Sequence, residues 1–78
     1  MISISTILSG RIPVDSSNLA SVGYNPWTGV LEIEFHGRRV YQYFGVPFAV
    51  YLDLMAADSH GKYFYVNIRD QYQCRRIQ

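Results

Sequence analysis

The stretch Leu31-Glu32-Ile33-Glu34-Phe35-His36-Gly37-Arg38-Arg39-Val40-Tyr41-Gln42-Tyr43-Phe44 decides the fold. Leu31, Ile33 and Phe35 alternate with Glu32 and Glu34, the period of a strand with one dry face and one wet face. Arg39 to Phe44 is a second β-prone run, and His36-Gly37-Arg38 closes the two as a hairpin. Register is the open question. A two-residue loop sets Val40, Gln42 and Phe44 beside Leu31, Ile33 and Phe35; a three-residue loop sets Tyr41 and Tyr43 there. A slip of one residue exchanges the faces. Burying Gln42 without a partner costs roughly 1–3 kcal/mol. The three-residue loop is therefore preferred, with Glu32, Glu34 and Gln42 on the wet side.

Working outward, Leu19 to Tyr24 reads as a preceding strand, with Ala20, Val22 and Tyr24 on one face. Asn25-Pro26-Trp27-Thr28-Gly29 joins it to the hairpin as a turn, with Trp27 exposed at the tip. Pro13, Asp15, Ser16, Ser17 and Asn18 read as a turn-rich linker. Residues 1–10, where Ile2 and Ile4 alternate with Ser3 and Ser5, read as an N-terminal extension or edge strand ahead of a domain over 11–78. Gly45-Val46-Pro47 ends the sheet, and Pro47 suits the first position of a helix. Phe48, Tyr51, Leu52 and Met55 then recur at helical spacing. Ser59 can cap a second short helix, running to about Asp70, with Phe64 and Ile68 on one face and Lys62, Tyr65 and Arg69 on another. The expected fold is α+β: a three-stranded antiparallel meander packed against two short C-terminal helices, with an extra N-terminal strand as an option.

A chain of 78 residues is one domain, able to bury only about 60–65% of its unfolded surface. Its seven tyrosines suit a small core that opens onto a binding face. Cys74 is the single cysteine, so neither an internal disulfide nor a cysteine-based zinc site is expected. His36 and His60 belong to no metal-ligand spacing, and no metal or cofactor is expected. No apolar run has the length of a membrane span, and Met1-Ile2-Ser3-Ile4-Ser5 lacks the plan of a secretory signal. These features point to a soluble cytoplasmic protein, in the host cytoplasm if a virus encodes it. Charge is uneven. Residues before His60 carry a net −2, and those from His60 onward, with Lys62, Arg69, Arg75 and Arg76 against Asp70, carry +3. Such an end permits an anionic partner.

Several segments together resemble the KTSC domain family: Val14-Asp15-Ser16-Ser17-Asn18-Leu19, Val22-Gly23-Tyr24, Leu31-Glu32-Ile33-Glu34-Phe35, Tyr41-Gln42-Tyr43, Phe44-Gly45-Val46-Pro47 and Ser59-His60-Gly61-Lys62-Tyr63-Phe64. That family is named for its place at the C-terminus of some lysyl-tRNA synthetases, and it also forms small single-domain proteins of bacteria and their viruses. The resemblance implies a compact α+β domain centred on the Tyr-X-Tyr pair, with RNA binding as its suggested role. The chain departs from the family pattern at Arg38, where glycine is usual, at Tyr65, where asparagine is usual, and at Gln73-Cys74, where proline and tyrosine are usual.

Two readings of Tyr41 and Tyr43 stand side by side: core rings packed on Leu31, Ile33 and Phe35, or a stacking platform for bases. Ser59, His60, Gly61 and Lys62 read either as an ordinary helix cap or as a phosphate site. There Gly61 admits a close ligand and Lys62 supplies charge. Tyr65, Arg69, Arg75 and Arg76 complete the candidate ligand-binding set as a basic surface. No nucleophile–base pair is evident, so no enzymatic activity is expected; Glu32 and Glu34 fit a wet strand face better than a glycosidase pair. The expected function is a non-catalytic binding module for RNA or a nucleotide, one version being a viral protein that sequesters a signalling nucleotide. The alternative is a protein-interaction or homo-oligomerising module built on Trp27, the Ile2/Ile4 arm and a tyrosine-rich surface.

Overall fold

The structure, a computed structural model, describes residues 10–78. Strands β1 (Ile12–Pro13), β2 (Leu19–Asn25), β3 (Val30–Phe35), β4 (Arg39–Tyr43) and β5 (Cys74–Arg76) form one antiparallel sheet in chain order. Helices α1 (Phe48–Ala56) and α2 (His60–Asn67) lie between β4 and β5 in the chain and supply Leu54 and Phe64 to the core. The α+β class is as expected, but among the described residues the sheet has five strands rather than three. The two additions are the outer strands of that described sheet. β1 falls where a linker was expected, and Pro13 is tolerated there because an edge position need not donate to a ladder. β5 is the basic tail, and its two arginines are the charges with which sheets blunt an open edge. The edge strand expected at the N-terminus lies, except for Gly10, outside the described residues.

The central hairpin has the three-residue loop. Leu31 faces Tyr43, Glu32 faces Gln42 and Ile33 faces Tyr41. Gly37 (φ 94°) and Arg38 (φ 65°) both take left-handed backbone in the turn. For an arginine that conformation costs roughly 1–2 kcal/mol, which is why glycine suits this position.

Two expected faces are corrected. A bulge between Leu19 and Ser21 turns Leu19, not Ala20, toward the same side as Val22, and both are fully buried. In α1 the stripe of Phe48, Tyr51, Leu52 and Met55 holds only in part: Tyr51 and Met55 pack against the core, partly buried. Leu54 is the fully buried residue, while Phe48 and Leu52 remain 53% and 47% exposed. Asp53 is the only charged residue in this nine-residue helix, so apolar spacing could not single out a face. Tyr24 helps select it: its ring stacks on Tyr51 at 4.9 Å, and its hydroxyl donates to the Val46 carbonyl. Helix α2 ends at Asn67 rather than near Asp70, but it buries Phe64, and Ile68 immediately beyond its end is buried too, the pair that the spacing predicts.

The other sheet face carries a polar network. Arg11 pairs with Glu32, Gln42 Nε2 donates to the same carboxylate at 3.1 Å, and Ser21 Oγ donates to Glu34 at 2.8 Å. Arg11 Nε also donates to Ser21 Oγ at 3.2 Å. Gly23 makes room for this arrangement, because a Cβ there would lie 3.1 Å from Arg11 Cγ and 3.1 Å from the Gly10 carbonyl.

Candidate functional site

Strand alternation places Arg39, Tyr41 and Tyr43 on one face of β4, the face that α2 partly covers. The space between them is a groove of about 720 Å³, bounded also by the Ser17-Asn18 loop, Asp70 and Cys74. Its floor is a chain of edge-to-face rings. Phe35 meets Tyr41 at 5.8 Å and Phe64 at 5.3 Å, and Phe64 meets Tyr43 at 5.4 Å. Such pairs contribute about 0.5–1.5 kcal/mol each beyond their buried area.

Two guanidiniums border this floor. Arg39 lies over the Phe35 ring at 5.5 Å, with Nη2 donating to the His36 carbonyl at 3.5 Å. Arg69 lies over the Tyr65 ring at 4.9 Å. Among the described residues the only ion pair is Arg11–Glu32, so neither groove arginine is matched by a carboxylate at contact distance. Burial pushes the Tyr43 phenol up to about 12, with Cys74 and Tyr41 adding to the effect. The hydroxyl therefore stays protonated at neutral pH and can both donate and accept.

The side wall is set by a close contact. Ser16 Oγ accepts from the Asn18 and Leu19 amides, each at 3.2 Å, and the His36 ring donates from Nε2 to the Ser16 carbonyl at 2.8 Å. The start of α2 rests on this loop: a Cβ on Gly61 would stand 3.0 Å from Asn18 Nδ2. Gly61 thus allows the close helix–loop packing as well as lining the groove.

The structure brings together Tyr41, Tyr43, Gly61, Tyr65 and Arg69 from the expected set. It places the others elsewhere. Ser59 caps α2, its hydroxyl accepting from the Lys62 amide at 3.2 Å. The His60 ring donates from Nδ1 to the Leu54 carbonyl at 2.8 Å, which ties the two helices. Lys62 is exposed outside the groove. Arg75 faces Gln42 and so shares the polar side of the sheet, whereas Arg76 faces Tyr41 and donates from Nε to the Gln78 carbonyl at 2.9 Å. Tyr43 is core, as the packing reading of the pair expects, and Tyr41 is half-buried at the groove. Sequence reasoning missed Arg39, although the alternation that joins Tyr41 to Tyr43 also joins Arg39 to both. It missed Asn18, Phe64 and Cys74 as groove residues because no local pattern links them to β4. Trp27 is 93% exposed, as expected of a turn tip, and borders a second hollow of about 490 Å³ beside Glu32 and Gln42.

The sequence model of the family described as the KTSC domain matches residues 15–72. A protein of Stutzerimonas stutzeri is 43% identical over 54 residues, which cover 69% of this chain and 76% of that protein. A lysine–tRNA ligase of Nostoc sp. is 33% identical over 63 residues, which are 81% of this chain but 11% of that enzyme. The crystal structure of a KTSC domain protein from Yersinia pestis is similar with a TM-score of 0.85 at 41% identity, covering 87% of this chain and 96% of that one.

Proposed function

The chain belongs to the KTSC domain family, and from its groove we propose that it is a non-catalytic binding module for RNA or a nucleotide. One observation carries the reading: Arg39 and Arg69, both without a carboxylate partner, border a groove floored by aromatic rings. A base stacked on Tyr41 or on the 62%-exposed Tyr65 gains about 1–3 kcal/mol. Phosphate oxygens accept from the guanidinium edges, the geometry at which arginine excels. The groove volume falls in the range of small-ligand sites. His36 and His60 each commit a ring nitrogen to a main-chain carbonyl, which favours structural work over acid–base work. The module acts in the cytoplasm, where an exposed Cys74 stays a thiol; encoded by a virus, it would sequester a signalling nucleotide.

A second reading is favoured by Trp27 and by the half-exposed Phe48 and Leu52: a protein-interaction or self-associating module. Titration against single-stranded RNA, double-stranded RNA and nucleotides at two salt levels, run beside sizing chromatography, separates the two. Saturable binding by a monomer is the expected result. No binding together with a clean dimer peak would replace the first reading with the second.

A further inference from the structure

We infer that the ligand of the groove is a small nucleotide bearing one or two phosphate groups, a free mononucleotide or dinucleotide, and not a long RNA strand. The inference rests on the groove being a nucleotide site, and it follows from where the fold puts its cations. The chain has seven lysines and arginines. Arg11 is engaged with Glu32 and Ser21 on the far side of the sheet, and Arg75 points to that side too. Arg38 stands in the hairpin turn and Lys62 outside the groove. Only Arg39 and Arg69 border the aromatic floor, with Arg76 on the neighbouring strand as the nearest addition.

A polymer is held by a track of cations, and proteins of that kind contact about 6–10 phosphates. Here Arg39 and Arg69 are the only cations among the lining residues, which is fewer than such a track provides. Asp70, a carboxylate, stands in the groove wall beside Arg69, on a protein whose net charge is only +1. Two guanidiniums are enough for a compact anion whose base covers the rings. The open groove of about 720 Å³ falls in the size range of small-ligand sites.

Cys74 provides the test, because it borders the groove and is the only cysteine in the chain. The rate at which its thiol is alkylated reports occupancy. Nucleoside monophosphates, 5′-phosphorylated dinucleotides and a single strand of roughly fifteen nucleotides are titrated calorimetrically at about 50 and about 200 mM salt, with alkylation followed in parallel. At least one mono- or dinucleotide is expected to slow alkylation and to bind as tightly as the long strand. Its affinity should fall less than about tenfold between the two salts, against the roughly 10³–10⁵-fold loss of a multi-phosphate contact. Arg39→Ala and Arg69→Ala should each weaken binding about tenfold or more, the loss of a charge-assisted hydrogen bond. Arg75→Ala should leave it unchanged. A long strand that binds far more tightly than every small nucleotide, with a steep salt dependence, overturns the inference and leaves the nucleic-acid reading intact. Binding of nothing in the panel overturns both. Tight nucleotide binding with no protection of Cys74 moves the site out of the groove and overturns the inference.

Discussion

The two faces of this sheet come from the same strands by alternation, yet they treat charge in opposite ways. On the open face Arg11, Glu32, Gln42, Ser21 and Glu34 satisfy one another. On the helix-covered face Arg39 and Arg69 lie on aromatic rings and meet no carboxylate. A saturated network fixes register, because Gln42 reaches Glu32 only when the two stand opposite each other. An unsaturated pair of cations leaves N–H groups for something outside the chain.

Three perturbations separate the two faces. Ile33 is fully buried under the helices, in the strand shared by both faces. Ile33→Ala should cost about 2–5 kcal/mol in urea unfolding, and a cost below about 1 kcal/mol would mean that the helix layer does not hold the groove in shape. Next comes a matched pair. Arg11→Ala should lower stability by about 1–2 kcal/mol and leave groove binding alone. Arg39→Ala should stay within about 0.5 kcal/mol of the parent in stability while losing affinity. Equal effects of the two on stability would erase the distinction between the faces. The third effect appears only in alkali. The unfolded chain ionises Tyr43 near 10, whereas the folded protein holds its proton up to about 12. That contribution to stability is complete below pH 10 and is lost as pH rises toward 12. Melting temperature should fall across this window, and Tyr43→Phe should fall less; identical slopes would show that the phenol is not the buried group responsible.

The hairpin was legible because a polar residue stood in its wrong register: one glutamine decided the face of five neighbours. Helix α2 was legible because Phe64 and Ile68 stand four apart among polar residues. The edge strands were not. β1 and β5 are two and three residues long and carry proline and arginine, so their pairing depends on partners distant in the chain. The bulge at Ala20 was equally hidden, because nothing local marks where a ladder slips. For the site, strand alternation exposes Tyr41, Tyr43 and Arg39, but the Asn18 contact under Gly61 exists only once β2 and α2 are docked. The basic tail misled because one count of arginines hides two directions: Arg75 and Arg76 project from opposite faces of the same strand.

The strand order β1-β2-β3-β4-β5 has a consequence for how the molecule assembles. Every ladder joins neighbours in the sequence, so the sheet can grow outward from one hairpin. Only the β4–β5 ladder spans the helical segment between its strands. Loop-closure entropy is therefore largest for that one ladder. The groove is built from both sides of it, so its shape depends on the costliest pairing in the sheet.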